Sequence, residues 1–120
     1  MQRTGVDMYK YNAKCVNVVD GDTVDLLVDL GFNVFIRERF RLAGIDAYEP
    51  RRLKNQTETE SKLGKEGKVF LRDKILDKTI QVTTTKVPGK YGRWIGELYY
   101  QDVSINKLIV NSGYAVFKSY

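Results

Sequence analysis

The chain has 120 residues, 42% hydrophobic and 29% charged, the composition of an ordinary soluble globular protein. That length supports one buried core, so residues 1–120 are expected to form a single domain with a frayed start over residues 1–8. Lys+Arg number 20 against 15 Asp+Glu, a formal charge of +5; such a surplus attracts nucleic acid or anionic surfaces, though many proteins without those partners share it. One cysteine and no histidine exclude an internal disulfide, a cysteine zinc site, histidine general bases and Ser-His-Asp triads. Any metal must therefore be held by oxygen, which points to calcium, magnesium or manganese.

No stretch approaches the ~20 apolar residues of a membrane span, and Met1 to Asn12 contains no apolar signal core. As written, the chain is expected to be cytoplasmic or the mature form of a secreted protein, with no membrane partner.

In chain order, Tyr9 to Val19 is rich in β-branched and aromatic residues and predicts a strand; Cys15 within it is expected to be a buried structural thiol. Asp20-Gly21-Asp22 signals a turn, and Thr23 to Leu30 a second strand. Gly31-Phe32-Asn33 turns the chain into a third strand, Val34 to Ile45. Its alternation places Val34, Ile36, Phe40 and Leu42 on an inward face and Phe35, Arg37, Arg39 and Arg41 on the other, with Arg37 and Arg39 as solvated cations. Glu38 interrupts the apolar face and predicts a bend or bulge.

A loop follows from Asp46 to Gln56. Thr57 and Glu60 then form a capping box that opens a helix to about Leu76, with Leu63, Gly67, Phe70, Leu71 and Lys74 along one stripe. Lys78 to Thr85 predicts a fourth strand, Lys86 to Gly92 a turn, Arg93 to Tyr100 a fifth strand, and Asp102 to Asn111 a short second helix closed by Ser112-Gly113. Tyr114 to Tyr120 reads as an extended tail. Three strands, a helix, two strands and a closing helix match a mainly β (α+β) fold, the five-stranded Greek-key OB barrel; a helix of this length is out of place in a sandwich.

Three clusters carry the chemistry: Val19-Asp20-Gly21-Asp22-Thr23, Phe40-Arg41-Leu42 through Asp46 and Glu49, and Lys90-Tyr91-Gly92-Arg93. Acidic groups facing a polyanion need a cation between them. Carboxylates beside arginines at strand ends suit metal-assisted cleavage of a phosphodiester. Guanidiniums can grip phosphate oxygens by paired donors, and without histidine a glutamate is the natural base. Taken singly, Asp20 and Asp22 could be mere turn formers, Glu49 a surface acid and Arg93 a strand-start cation.

In order and spacing these motifs, followed by Val103 to Ala115 with its Asn106 and Gly113-Tyr114-Ala115, resemble the staphylococcal (thermonuclease) family of calcium-dependent nucleases over roughly residues 10–118. The resemblance implies Ca²⁺ bound by Asp22, Asp46 and the backbone carbonyl of Ala47, with Asp20 as an acid behind them. It implies Glu49 as the group that activates or positions water, and Arg41 and Arg93 as the grip on the scissile phosphate. It further implies Lys90, Tyr91 and Tyr120, or Ser119 beside it, as nucleotide contacts. The implied activity is endonucleolytic hydrolysis of DNA and RNA, in single-stranded or breathing regions, leaving 3′-phosphates, by a monomer. The alternative is an OB barrel that binds nucleic acid or a protein without cutting. The chain departs from the family pattern at Tyr48, where proline is usual and Pro50 instead follows Glu49, and at Ala47, where threonine is common. The family's long C-terminal helix is expected to be missing from residues 1–120.

Overall fold

A computed structural model describes residues 8–49, 57–88 and 92–118. The elements are β1 (Tyr9–Asp20), β2 (Thr23–Asp29), β3 (Phe35–Leu42), β4 (Ile45–Ala47), α1 (Glu58–Ile75), β5 (Thr79–Pro88), β6 (Trp94–Tyr100), β7 (Val103–Ser104), α2 (Ile105–Asn111) and β8 (Ala115–Phe117). Five strands run in the order β3-β2-β1-β5-β6, and a parallel pairing of β3 with β6 closes them into the expected OB-type barrel. β7 extends β6, while β4 and β8 form a separate two-stranded sheet. No helix among the described residues is long and apolar enough to cross a membrane.

The barrel interior is filled by inward side chains of every strand: Cys15, Val24, Leu26, Leu42, Ile80, Val82 and Leu98 are fully buried. Burial pushes the Cys15 thiol up to about 11, so it is an inert packing group, as expected. Helix α1 starts at the capping box read from the sequence, with Thr57 accepting from the Glu60 amide and Glu60 accepting from the Thr57 amide. Its buried stripe is Ser61, Gly64, Gly67, Leu71 and Ile75. Lys74, expected on that stripe, is exposed and lies over the Phe70 ring, and Leu63 and Phe70 are only half-buried. The small residues decide this: a Cβ at Gly67 would stand 2.9 Å from the Tyr114 Cβ, so glycine lets the helix meet that tyrosine closely.

The third strand differs from expectation in three ways. It breaks at Ala43-Gly44, where Gly44 takes φ +73, so Ile45–Ala47 leaves the barrel and pairs with Ala115–Phe117, within the segment expected as an extended tail. Val34 and Ile36 are 48% and 39% exposed, because the β2–β3 hairpin runs beyond the barrel. No bulge marks Glu38; β3 keeps unbroken register with β2, and the shifts fall in β1, between Cys15 and Asn17 and between Val18 and Asp20.

The second helix also starts later than expected. Gln101 and Asp102 adopt positive φ in a turn, Val103–Ser104 forms β7, and Ser104 then caps α2 by accepting from the Lys107 amide.

Two of the buried polar groups, Asn106 and Asp25, brace the barrel. The side chain of Asn106, 3% exposed, accepts from the Leu98 amide at 3.1 Å and donates to the carbonyls of Ala43 at 2.9 Å and Gly96 at 3.3 Å. It joins α2 to β6 and to the β3–β4 turn. Asp25 accepts two bonds from Arg39, at 2.8 and 3.2 Å, and one from Asn17 at 3.1 Å. Arg39 is thus more than a solvated cation, and its guanidinium chiefly holds the Asp25 carboxyl below the usual aspartate value.

Asn106→Leu strands the Leu98 amide and the Ala43 carbonyl without partners; urea unfolding is expected to show a loss of about 2–4 kcal/mol. Asp25→Asn is expected to cost about 1–2 kcal/mol at neutral pH. Because Asp25 is depressed in the fold, its contribution is full above the ordinary aspartate pKa and vanishes as pH falls through its folded value. The difference between parent and Asp25→Asn should therefore close on acidification, as unfolding curves at successive pH values would register.

Candidate functional site

The site is built where the β1–β2 turn, the end of β3 and β4 converge. Gly21 lets the turn approach β4, since a Cβ there would stand 3.1 Å from the Ala47 Cβ. The carbonyl of Asp22 accepts from the Leu42 amide at 2.8 Å, pinning the turn to β3. Asp22 is 7% exposed. One carboxylate oxygen accepts from the Thr23 hydroxyl at 2.9 Å; the other accepts from the Ala47 amide at 2.9 Å and stands 3.3 Å from Nη1 of Arg41. A buried carboxylate survives only with such partners.

Arg41 projects from β3 opposite to Phe40 and Leu42, as its strand alternation requires. Its guanidinium donates to the Leu42 carbonyl at 3.2 Å and to Oδ1 of Asp46 at 3.1 Å. One fork therefore spans Asp22 and Asp46. The second oxygen of Asp46 stands 3.6 Å from Nζ of Lys118, just past β8. Nothing in the sequence singles out Lys118, because no local signal indicates that β8 folds back along β4.

Glu49 follows β4 by two residues. Its carboxyl is raised above the ordinary glutamate value, first by burial, then by the charges of Asp20, Asp22 and Asp46, against a lowering contribution from Arg41. These four acids and Arg41 therefore share one field. Arg93 precedes β6, whose Ile95 pairs with Arg41, so the two arginines are brought to neighbouring strands at the barrel's closure. Lys90, Tyr91, Ser119 and Tyr120, along with Pro50, lie outside the described residues.

Among the described residues no group of three or more acidic, cysteine or histidine side chains stands close enough to hold a metal ion alone. A cation shared by Asp22 and Asp46 would need backbone or water oxygens as well. Such an all-oxygen set suits calcium, which takes about six to eight oxygen ligands, and a surplus of carboxylates around Arg41 is the environment that favours one.

A closed five-stranded barrel thus carries acids and an arginine at its β1–β2 turn and β3 end. The chain belongs to the family of staphylococcal nuclease homologues, whose model matches residues 39–120. Arg41, Asp46, Glu49 and Arg93 fall within the matched range, and Asp20 and Asp22 precede it. The chain is also similar to an uncharacterized protein of Bacillus anthracis, 29% identical over 105 residues, which are 86% of this chain and 45% of that protein. It thus spans less than half the length of that relative.

In cation-free protein, Glu49 is expected to titrate above the ordinary glutamate value. Asp20→Asn should lower its midpoint by removing the leading repulsive charge, and Arg41→Ala should raise it. Side-chain carboxyl NMR through a pH titration measures both shifts. Since the folded pKa is raised, ionised Glu49 costs stability above that pKa, and the cost shrinks as pH falls below it and vanishes only below the ordinary glutamate pKa; Glu49→Gln should therefore stabilise the cation-free protein at neutral pH and leave it unchanged in acid.

Proposed function

We propose that this chain is a Ca²⁺-dependent phosphodiesterase that hydrolyses DNA and RNA endonucleolytically, in single-stranded or breathing regions, leaving 3′-phosphate ends. The observation that carries it is the Arg41 fork held between Asp22 and Asp46, with the raised carboxyl of Glu49 in the same field. On this proposal Asp22, Asp46 and the Ala47 carbonyl hold the ion, with Asp20 behind them. The ion, when bound, would offset phosphate charge and polarise water.

The protein groups divide the rest of the work. Glu49 accepts a proton from the attacking water, and its raised pKa makes it a better base than an ordinary glutamate once ionised. Water adds to phosphorus and the bond to the 5′ oxygen breaks; that oxygen takes a proton from solvent and leaves as a hydroxyl, with the phosphate on the 3′ side. Charge grows on the non-bridging oxygens during attack, and Arg41 and Arg93 donate N–H groups to them. Arg41 is poised for this because its contact with half-exposed Asp46 can be exchanged for a phosphate oxygen while Asp22 still orients it. Lys90, Tyr91 and Tyr120 would contact the nucleotide, the tyrosines by stacking on bases.

One observation favours a second reading. The Arg41 side chain is only 12% exposed and is already engaged by Asp22, Leu42 and Asp46, as a purely structural bridge would be. In that case the barrel binds nucleic acid without cutting, with salt-dependent affinity in chelator.

Hydrolysis of denatured DNA with Ca²⁺, against a chelator control, separates the two. The proposal expects activity only with Ca²⁺. Arg41→Ala and Arg93→Ala should each lower kcat by about 10²–10³, and Glu49→Gln by about 10²–10⁴. Arg93→Ala with an undiminished rate, or no product from the unaltered chain, would defeat it.

A further inference from the structure

Lys118 occupies a position that the proposed chemistry does not use. Its amide donates to the Gly44 carbonyl at 2.8 Å, one residue past the Ile45–Phe117 pair, so the β4–β8 ladder fixes its backbone beside the Ala43-Gly44 turn. From there its ammonium reaches Oδ2 of Asp46 at 3.6 Å, while Arg41 holds Oδ1 at 3.1 Å. Both oxygens of Asp46 are therefore met by cations of the chain itself. Asp22 differs: its carboxylate is held by the Ala47 amide, the Thr23 hydroxyl and Arg41, and no lysine stands on it among the contacts described.

We infer that Lys118 is a built-in counter-ion for Asp46, a positioning residue that competes with a divalent cation for that carboxylate and so weakens cation binding. The inference rests on the proposed role of Asp22 and Asp46 as cation ligands. Its physical basis is charge. An ion entering between the two aspartates must displace the ammonium from Oδ2 or accept a positive charge beside it, and either costs affinity. The Asp46 and Lys118 side chains are 41% and 55% exposed, so water screens the pair and the penalty is modest. Arg41 cannot serve as the adjustable partner in the same way, because Asp22 and the Leu42 carbonyl also hold it.

The test is Ca²⁺ binding by calorimetry on the full chain without nucleic acid, comparing parent, Lys118→Met, Lys118→Arg and Asp46→Asn. Lys118→Met, which keeps most of the side-chain length but not the charge, should tighten Ca²⁺ binding roughly 1.5- to five-fold, the size expected for a screened pair. Lys118→Arg should retain the parent affinity, and Asp46→Asn should weaken binding strongly. Raising the salt concentration should narrow the difference between parent and Lys118→Met. Unchanged or weaker binding in Lys118→Met, or tightening in Lys118→Arg equal to that in Lys118→Met, overturns the inference while leaving the cation site standing. No Ca²⁺ binding by the parent and by Lys118→Met overturns both. Thermal unfolding without Ca²⁺ checks that each variant is folded, and it should move little, because an exposed pair contributes little to stability.

Discussion

The buried carboxylate of Asp22 is the constraint on which the rest of this site depends. Its own turn, through Thr23, and two segments distant in sequence meet on this residue: β4 through the Ala47 amide, and β3 through Arg41 and the Leu42 amide. Each side-chain partner offsets part of the cost of removing a charge from water, and loss of any one would leave the others facing an under-satisfied anion. Asp22 therefore fixes where β4 begins its separate course, and with it where Asp46 and Glu49 stand. The same carboxylate that organises the loop chemistry is the one that holds the local fold together.

Barrel closure is similarly concentrated in a few contacts. β3 meets β6 over only three residue pairs, Phe40–Trp94, Arg41–Ile95 and Leu42–Gly96. Gly96 is needed there, since a Cβ would stand 2.8 Å from a Val82 methyl and 3.2 Å from the Phe40 ring. Asn106 then satisfies the Gly96 carbonyl and the Leu98 amide beside the seam. Closure thus falls at the end that carries Arg41. At the other end, residues 35–39 of β3 pair with β2 on one side and with no strand on the other among the described residues. Arg37, Glu38 and Arg39 charge that edge, which discourages pairing with another chain despite the exposed Phe35 and Ile36 beside it.

Much of this is legible in the sequence because it is written in local signals. Alternation marks the barrel strands, and Thr57 with Glu60 marks the start of α1 to the residue. The differences arise where tertiary contact overrides a local pattern. Val34 and Ile36 alternate like core residues, yet they extend past the barrel, and alternation says nothing of where a sheet ends. The break at Gly44 is hidden because apolar residues continue through it to Ile45. A stripe drawn along α1 through long apolar residues misses the actual contact, which uses Gly64 and Gly67, whose value lies in what they omit. At the site, Asp22, Arg41 and Asp46 converge as strand-end residues can, but Lys118 depends on β8 pairing with β4, a long-range event with no short-range mark.

Charge at the site runs against charge on the whole chain. The protein carries a formal +5, yet the site brings Asp20, Asp22, Asp46 and Glu49 into one field with Arg41, and Lys118 stands on Asp46. The upward shift of Glu49 records that imbalance: Arg41 does not offset the three aspartates and burial together. A phosphate brought to such an acidic site by the basic exterior would meet repulsion at close range. On the proposed function, the divalent ion resolves the conflict, and its arrival must come before or with the substrate's. Every positive charge that the chain supplies to these carboxylates makes the ion less needed and less tightly held. Arg41 cannot be spared, since it is also the proposed phosphate grip. Lys118 can, so on the same proposal the balance between an acid site that attracts a cation and one that already neutralises itself turns, among the described residues, on this exposed ammonium.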